Sequence, residues 1–394
     1  MRLRWWHGVC GLLLPVLLLK LVLSRGGLDD GSGARLRALV LSDLHDSVAS
    51  VQRLRTWFEH QSLLSTIDVV LCPGDITTQP LDQAWVPAAH FEYMRRARRT
   101  LRAIAALGKP IYFVPGNHEP LALFNGSSPH SSLAVDGAHN VHGRTVLVRP
   151  GLALGGWGGS SVATEGGVTV WPRYPFDENE VGEGHRRLVS SARAQQSTLL
   201  LLSHCGPAGS GTSRVTASVP DEPCAPGVRA QTIEAGSSAM RDVLSSPEAQ
   251  DWVVAAVHGH SHASGGAARL GSVELFNPGS LRFGQSIGVL DFYRSDGRGL
   301  TGQAWELREA RRIYLPGGCG EGSGDVPETL GVPLNAERLW PQPNLALAQA
   351  AALGACLALA AVGIVRWTCG GRDRQGQRTG EEARHYLVVD SVGI

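Results

Sequence analysis

No two cysteines of this 394-residue sequence are spaced as Cys-x-x-Cys, although seven occur, at 10, 72, 205, 224, 319, 356 and 369. A zinc site built from paired thiolates is therefore not expected. There is no surplus of either charge: 36 Lys and Arg stand against 35 Asp and Glu, a formal +1. Domains that bind nucleic acid usually carry a basic excess, so nucleic acid is not expected as a partner. Lysine is scarce, and no internal repeat marks a solenoid. Cys10 and Cys356 fall inside apolar runs, whereas Cys224 and Cys319 sit in loop-like surroundings, where an oxidising compartment would allow a bond whose connectivity sequence does not set.

What is present begins with two apolar segments. Arg2 and Arg4 precede an apolar run from Val9 to Leu23, interrupted by Pro15 and Lys20. A basic start before a short apolar core is the layout of a signal peptide, with Ser24 and Gly26 as cleavage positions; an uncleaved membrane anchor over 1–25 is the competing reading. The second segment, Leu345 to Val365, has no charge and one strongly polar side chain, Gln349. It is long enough to cross a hydrocarbon core of ~30 Å as a helix. Arg366, Arg372, Arg374 and Arg378 follow it, while Arg338 is the only base close on the other side. The positive-inside rule places the tail 366–394 in the cytosol and the body of the protein in the lumen or outside the cell, as a membrane protein of the secretory pathway or cell surface. Asn125-Gly126-Ser127 is a glycosylation sequon usable on that side. In the tail, Tyr386-Leu387-Val388-Val389 fits the Tyr-x-x-apolar pattern read by sorting adaptors, and Cys369 is a palmitoylation candidate.

Between these ends, 26–34 reads as a small-residue linker, 35–307 as a compact domain and 308–344 as a Gly/Pro-rich stalk. Within the domain, Leu36 to Leu41, Val69 to Cys72, Ile111 to Val114, Leu199 to Leu202 and Val253 to Val257 are short apolar runs expected as buried strands. Ser50 to Leu64 and Phe91 to Leu107 are expected as helices between them. The alternation predicts a layered α/β domain, in which ligands bind beyond the carboxyl ends of the strands.

Each of the five runs is followed within a few residues by side chains of a metal-binding type: Asp43 and His45, Asp75, Asn117 with His118 and Glu119, His204, and His260 with His262. Oxygen and imidazole donors suit Mn, Fe or Zn. Residues two apart on an extended chain point to one side, which predicts that Asp43 and His45 reach one ion together. Lone histidines are usually satisfied core or loop residues, and His130, His139 and His142 are expected as solvated loop residues. Cys205 is expected to pack rather than react. Five clusters, each at a strand end, do not fit that ordinary reading.

The series DxH, GD, GNH[DE], H and GHxH resembles the calcineurin-like metallophosphoesterases over roughly residues 36 to 293. A closer likeness is to Icc-related phosphoesterases, through Gly74-Asp75-Ile76-Thr77, Gly158-Gly159-Ser160, Tyr174-Pro175-Phe176, Ser203-His204-Cys205-Gly206-Pro207 and Asn277-Pro278-Gly279-Ser280. The resemblance implies a layered β-sandwich flanked by helices and two divalent metal ions. Asp43, His45 and His262 would hold one ion, Asn117, His204 and His260 the other, and Asp75 would bridge them. His118 would stand beside a phosphate-ester substrate, stabilising the transition state and protonating the leaving oxygen, a role that suits imidazole as a class. Glu119 would support the site from behind. Arg282 either contacts substrate phosphate or forms a surface salt bridge. Thr78 stands where purple acid phosphatases carry tyrosine, so a tyrosinate-iron site is not expected. The implied reaction is hydrolysis by a hydroxide shared between two ions. The alternative is a non-catalytic scaffold or receptor on the same fold, which would tend to lose the ligand set retained here.

Overall fold

A computed structural model describes residues 35–80, 87–125, 133–165, 168–216, 232–295 and 304–316. All lie in the first of two compact units, Met1–Asn335; the second, Ala336–Ile394, lies outside the described residues. The expected N-terminal segment, the helix over 345–365, the Tyr386 motif and the Cys224–Cys319 pair also lie outside them. Among the described residues, no helix is long and apolar enough to cross a membrane.

In chain order the elements are β1 (Arg35–Val40), α1 (Val48–Gln61), β2 (Val69–Cys72), α2 (Pro87–Ala105), β3 (Ile111–Phe113), β4 (Ala138–Asn140), β5 (Thr145–Arg149) and β6 (Leu152–Trp157). There follow β7 (Ala163–Glu165), β8 (Val168–Trp171), α3 (Glu178–Ala194), β9 (Thr198–Ser203), β10 (Arg214–Thr216), β11 (Thr232–Glu234), α4 (Ser238–Leu244) and α5 (Pro247–Trp252). The last are β12 (Val253–Val257), β13 (Gly266–Leu270), β14 (Val273–Asn277), β15 (Ser286–Ser295) and β16 (Ala304–Tyr314). Two six-stranded sheets form the body, in the orders β16-β15-β1-β2-β3-β4 and β13-β14-β12-β9-β6-β5.

Central strands are apolar on both faces, because each sheet is covered twice. Leu36, Ala38 and Val40 of β1 pack between the sheets with Leu200 and Leu202 of β9 and Val257 of β12. The alternate residue Leu39 faces α1 and α2, joining Val51, Leu54, Phe58, Leu101 and Ile104. On the far side, Leu199 and Leu201 of β9 meet Val181, Leu188 and Val189 of α3. The result is a layered α/β sandwich with helices outside both sheets. Burial of each such leucine contributes about 1.5–3 kcal/mol. Local signals set the helix ends. Asp177 and Glu180 form a reciprocal capping box at the start of α3, and α1 ends at Ser62 in a left-handed conformation.

The expected end of the domain at Leu307 falls inside β16, which pairs with β15 as far as Tyr314 opposite Ser286. Residues 308–314 therefore belong to the sheet and not to a stalk. Their charged side chains hid the strand, yet those charges are met: Arg311 lies 3.5 Å from Asp291 and 3.1 Å from Glu309.

Candidate metal centre

Strands β1, β2 and β3 are parallel, as are β9 and β12, so the loops after them gather at the carboxyl ends of their sheets. The two sets meet there: the His260 backbone N–H donates to Asp43 Oδ1 at 3.2 Å. Asp43, His45, Asp75 and His262 each turn one donor atom inward, and these atoms all lie within 4.8 Å of one another. His45 Nε2 and His262 Nε2 are 3.2 Å apart, His262 Nε2 is 3.2 Å from Asp43 Oδ1, and His45 Nε2 is 3.6 Å from Asp75 Oδ2.

Asn117, His204 and His260 lie against the other side of Asp75. His204 Nε2 is 2.8 Å from Asn117 Oδ1 and 3.4 Å from Asp75 Oδ1, and the rings of His204 and His260 are 5.1 Å apart. His204 Nδ1 is 2.8 Å from the Pro73 carbonyl, which fixes Nδ1 as the donor and turns Nε2 toward the cluster. Histidines that ligate metals show this arrangement. Asp43 and His204 are fully buried, and Asp75 and Asn117 are each 1 % exposed. Hydrophilic groups gathered so deeply need compensation.

The backbone departs from the expected extended geometry. Asp43, His45, Asp75 and His260 have φ of 52, 45, 51 and 66°. This left-handed region costs a non-glycine residue about 1–2 kcal/mol. Tertiary bonds hold it: Asp43 N–H donates to Gly74 O at 3.2 Å and His45 N–H to Asp75 O at 2.9 Å. Asp43 and His45 thus converge through a tight turn, not as alternate residues of a strand. Gly74, at φ +107°, admits the close approach, since a Cβ there would lie 2.6 Å from His204 Nδ1.

Charges follow from this packing. Burial lowers the pKa of His45 and of His260 to about 3, leaving both as neutral donors. Burial alone would also lower that of His204, but the Asp75 carboxylate outweighs it and raises the value to about 9. Asp75 is held well below the ordinary range: burial opposes ionisation, and the charges of His204 and His118 outweigh it. His45 Nδ1 and Asn117 Nδ2 are buried without hydrogen-bond partners. Ionised carboxylates facing the neutral imidazoles of His45 and His260, with His204 as an imidazole that would give up its proton on binding a cation, are a donor set that fits divalent cations.

Glu119 is 1 % exposed, and its hydrogen bonds among the described residues all come from backbone N–H groups. Its Oε2 accepts from Asp75 N–H at 3.0 Å and from Gly116 N–H, and its Oε1 accepts from Thr77 N–H at 2.7 Å. It ties the β2 loop to the β3 loop. Burial and the Asp75 charge push its pKa up to about 8. His118 donates its backbone N–H to Asp75 Oδ1 at 3.0 Å, its Nδ1 lies 2.8 Å from Gln79 O, and its ring is 5.1 Å from that of His45. Arg282 is exposed at the rim; its Nη1 donates to His45 O at 2.5 Å and lies 3.4 Å from Thr78 Oγ1, and its guanidinium lies over the Phe283 ring. No carboxylate pairs with it among the described residues. Asn125 is exposed, and the rest of its sequon lies outside the described residues.

The sequence reading missed other neighbours. His142 is not a solvated loop residue: it is buried, stacked on Phe176 at 5.3 Å and packed on Trp157, and it accepts the Gly158 N–H at Nδ1. His139 is exposed but lies on β4, and His130 is outside the described residues. Phe283 stacks on His262 at 5.2 Å and packs on His45, following Arg282 without a motif to mark it. Cys205 packs as expected, its thiol donating to Ala235 O at 3.2 Å and raised by burial to about 11.

Residues 36–264 match the profile of the calcineurin-like phosphoesterase family. No curated protein matches the sequence. Solved structures of similar fold include a dimetal phosphatase from Danio rerio, 13% identical with a TM-score of 0.41 over 69% of this chain and 98% of that one. A putative 5'-nucleotidase from Staphylococcus aureus is 11% identical, with a TM-score of 0.43 over 72% and 54%. The NAD nucleotidase of Haemophilus influenzae is 13% identical, with a TM-score of 0.39 over 72% and 50%. The family profile spans more than half of the chain, which therefore belongs to the calcineurin-like phosphoesterases, the metal-dependent hydrolases of phosphate esters.

Proposed function

We propose that the protein is a membrane-anchored phosphoesterase that uses two divalent ions to hydrolyse a phosphate mono- or diester. Asp43, His45 and His262 would hold one ion, Asn117, His204 and His260 the second, and Asp75 would lie between them. The observation that carries this is the convergence of the Asp43, His45, Asp75 and His262 donor atoms within 4.8 Å. When bound, the ions supply a water acidic enough to attack near neutral pH and positive charge for the phosphoryl oxygens.

The chain's own residues supply the rest. The Nδ1 contact to Gln79 and the backbone bond to Asp75 orient His118, whose Nε2 would pass a proton to the leaving oxygen. Arg282, braced against His45 O and Phe283, would meet an anionic group of the substrate at the rim. Buried glycines and left-handed turns keep the donors in place before substrate arrives, so little reorganisation is needed during reaction.

The anchor in this proposal is the segment 345–365, with 366–394 cytosolic and the phosphoesterase domain luminal or extracellular. Its support is the arginine asymmetry around that segment and the exposure of Asn125. The decisive experiment measures bound metal in the purified full chain and its turnover of aryl phosphate mono- and diesters. Two ions with metal-dependent turnover are expected, and Asp75→Ala should lose both. Bound metal without turnover of either ester class would favour the scaffold alternative.

A further inference from the structure

We propose that Arg312, on the last strand β16, is a positioning residue for the ion held by Asp43, His45 and His262. The inference rests on the two-metal reading above. The Arg312 guanidinium donates in three directions: Nε to Pro278 O at 3.1 Å, Nη1 to Gly265 O at 3.0 Å and Nη2 to Ser286 Oγ at 3.4 Å. Its flat face lies 4.7 Å from the centre of the Tyr314 ring. Gly265 and Pro278 belong to loops that carry or grip a candidate ligand, and Ser286 opens β15 where the second of those loops ends.

Gly265 closes the single 3-10 turn His262–Ser264, so Nη1 fixes the far end of the turn that bears His262. Pro278 and Ser286 bracket the loop between β14 and β15. That loop holds the backbone around the other two ligands: Ser280 Oγ donates to Asp43 O at 2.9 Å, Leu281 N–H to Ser42 O at 2.9 Å and Arg282 Nη1 to His45 O at 2.5 Å. One planar cation therefore sets the distance between the His262 turn and the Asp43–His45 turn. A guanidinium does this because its donors diverge in a fixed plane, which an ammonium does not reproduce. The space is made by glycine on both sides, since a Cβ at Gly265 or at Gly279 would collide with the guanidinium. Burial lowers the arginine pKa, Tyr314 acts the other way, and the group stays charged at neutral pH.

Asn117 and His204 are braced differently. His204 Nδ1 bonds to Pro73, and Glu119 binds the Gly116 N–H just before Asn117. Neither contact involves β16. His260, the remaining ligand of the second ion, lies two residues before His262 and its backbone N–H bonds Asp43 Oδ1, so loss of Arg312 should loosen the first ion strongly and the second much less. The residue lies beyond the part of the chain that matches the family profile.

The test is manganese titration of the metal-stripped full chain, followed by calorimetry and electron paramagnetic resonance, with thermal unfolding to verify folding. Wild type is expected to bind two ions and give the signal of a coupled pair. Arg312→Met, which keeps the chain length and removes the donors, is expected to weaken one ion about 10–100-fold and the other by much less. The coupled signal then gives way to that of isolated manganese, and Arg312→Lys recovers only part of the affinity. Gly265→Ala, which displaces the guanidinium without deleting it, should produce the same split and carries the test if Arg312→Met does not fold. Two ions bound as tightly as in wild type, or both weakened equally, overturn the proposal. A wild type that binds no manganese instead overturns the two-metal reading, and this inference with it.

Discussion

Replacing Glu119 by Gln isolates the support beneath the candidate metal centre, because its hydrogen bonds among the described residues all come from backbone N–H groups. The carboxylate accepts from three N–H groups, of Asp75, Thr77 and Gly116. Glutamine keeps one oxygen, which serves best on the Asp75 and Gly116 side, where two donors converge. Its amide nitrogen then faces the Thr77 N–H, donor against donor. The loss is one hydrogen bond, about 1 kcal/mol, together with a stranded buried N–H worth about 1–3 kcal/mol, so roughly 2–4 kcal/mol in all. For a domain of this size, each kcal/mol lowers the melting temperature by about 2–4 °C, so a fall on the order of 10 °C is expected. The two loops joined by Glu119 carry Asp75 and Asn117, so metal affinity should fall about 10–100-fold as well. The assays are thermal unfolding of the metal-stripped chain above pH 8, where Glu119 is ionised, and calorimetric metal titration, each against wild type. An unchanged melting temperature together with unchanged affinity would refute the claim that this carboxylate holds the two loops in register.

His118→Asn should lower turnover while leaving both ions bound, and the deficit should shrink for esters whose leaving groups are already acidic. A uniform deficit across leaving groups would remove the proton-transfer role. At the opposite end of the first sheet, Asp291 is buried between Arg37, at 2.7 and 2.9 Å, and Arg35, at 2.7 Å. Asp291→Asn breaks a buried pair and should cost about 3–5 kcal/mol in chemical denaturation without altering metal binding. Burial would raise the Asp291 pKa, but Arg37 and Arg35 outweigh it and hold it below the ordinary 3.8. The stability it brings is therefore complete above pH 3.8 and is lost as pH falls through the depressed value, so the gap between wild type and variant should close only below pH 3.8. A gap already closed at pH 6 would contradict this. For topology, sealed microsomes treated with protease should protect the phosphoesterase domain and expose the tail; digestion of the domain would reverse the proposed orientation.

How much of this was legible in the sequence depended on burial. The apolar runs at 36–41, 69–72, 111–114, 199–202 and 253–257 coincide with β1, β2, β3, β9 and β12 to within a residue at each end, because strands covered on both faces admit almost nothing polar. Strand β16 escaped notice because Arg308, Glu309, Arg311 and Arg312 break its apolar pattern, and the partners that settle Arg311 and Arg312, Asp291 and the Gly265 carbonyl, sit elsewhere in the fold. His142 read as one more loop histidine, since nothing local announces that Phe176 and Trp157 will enclose it.

Sequence alone determined which side chains can coordinate a metal and placed each just beyond a strand, because ligand chemistry is a property of residue type and strand ends are marked by short-range pattern. Tertiary structure decided how those residues divide into groups and which backbone they use. Asp43 and His45 meet through left-handed turns, while His260 and His262, two residues apart, face different partners: His204 for one, His45 and Asp43 for the other. Coordination requires atoms within a few ångströms, and Asp43 reaches His260 across 217 residues of chain only because two sheets pack face to face and bring their loops to one rim.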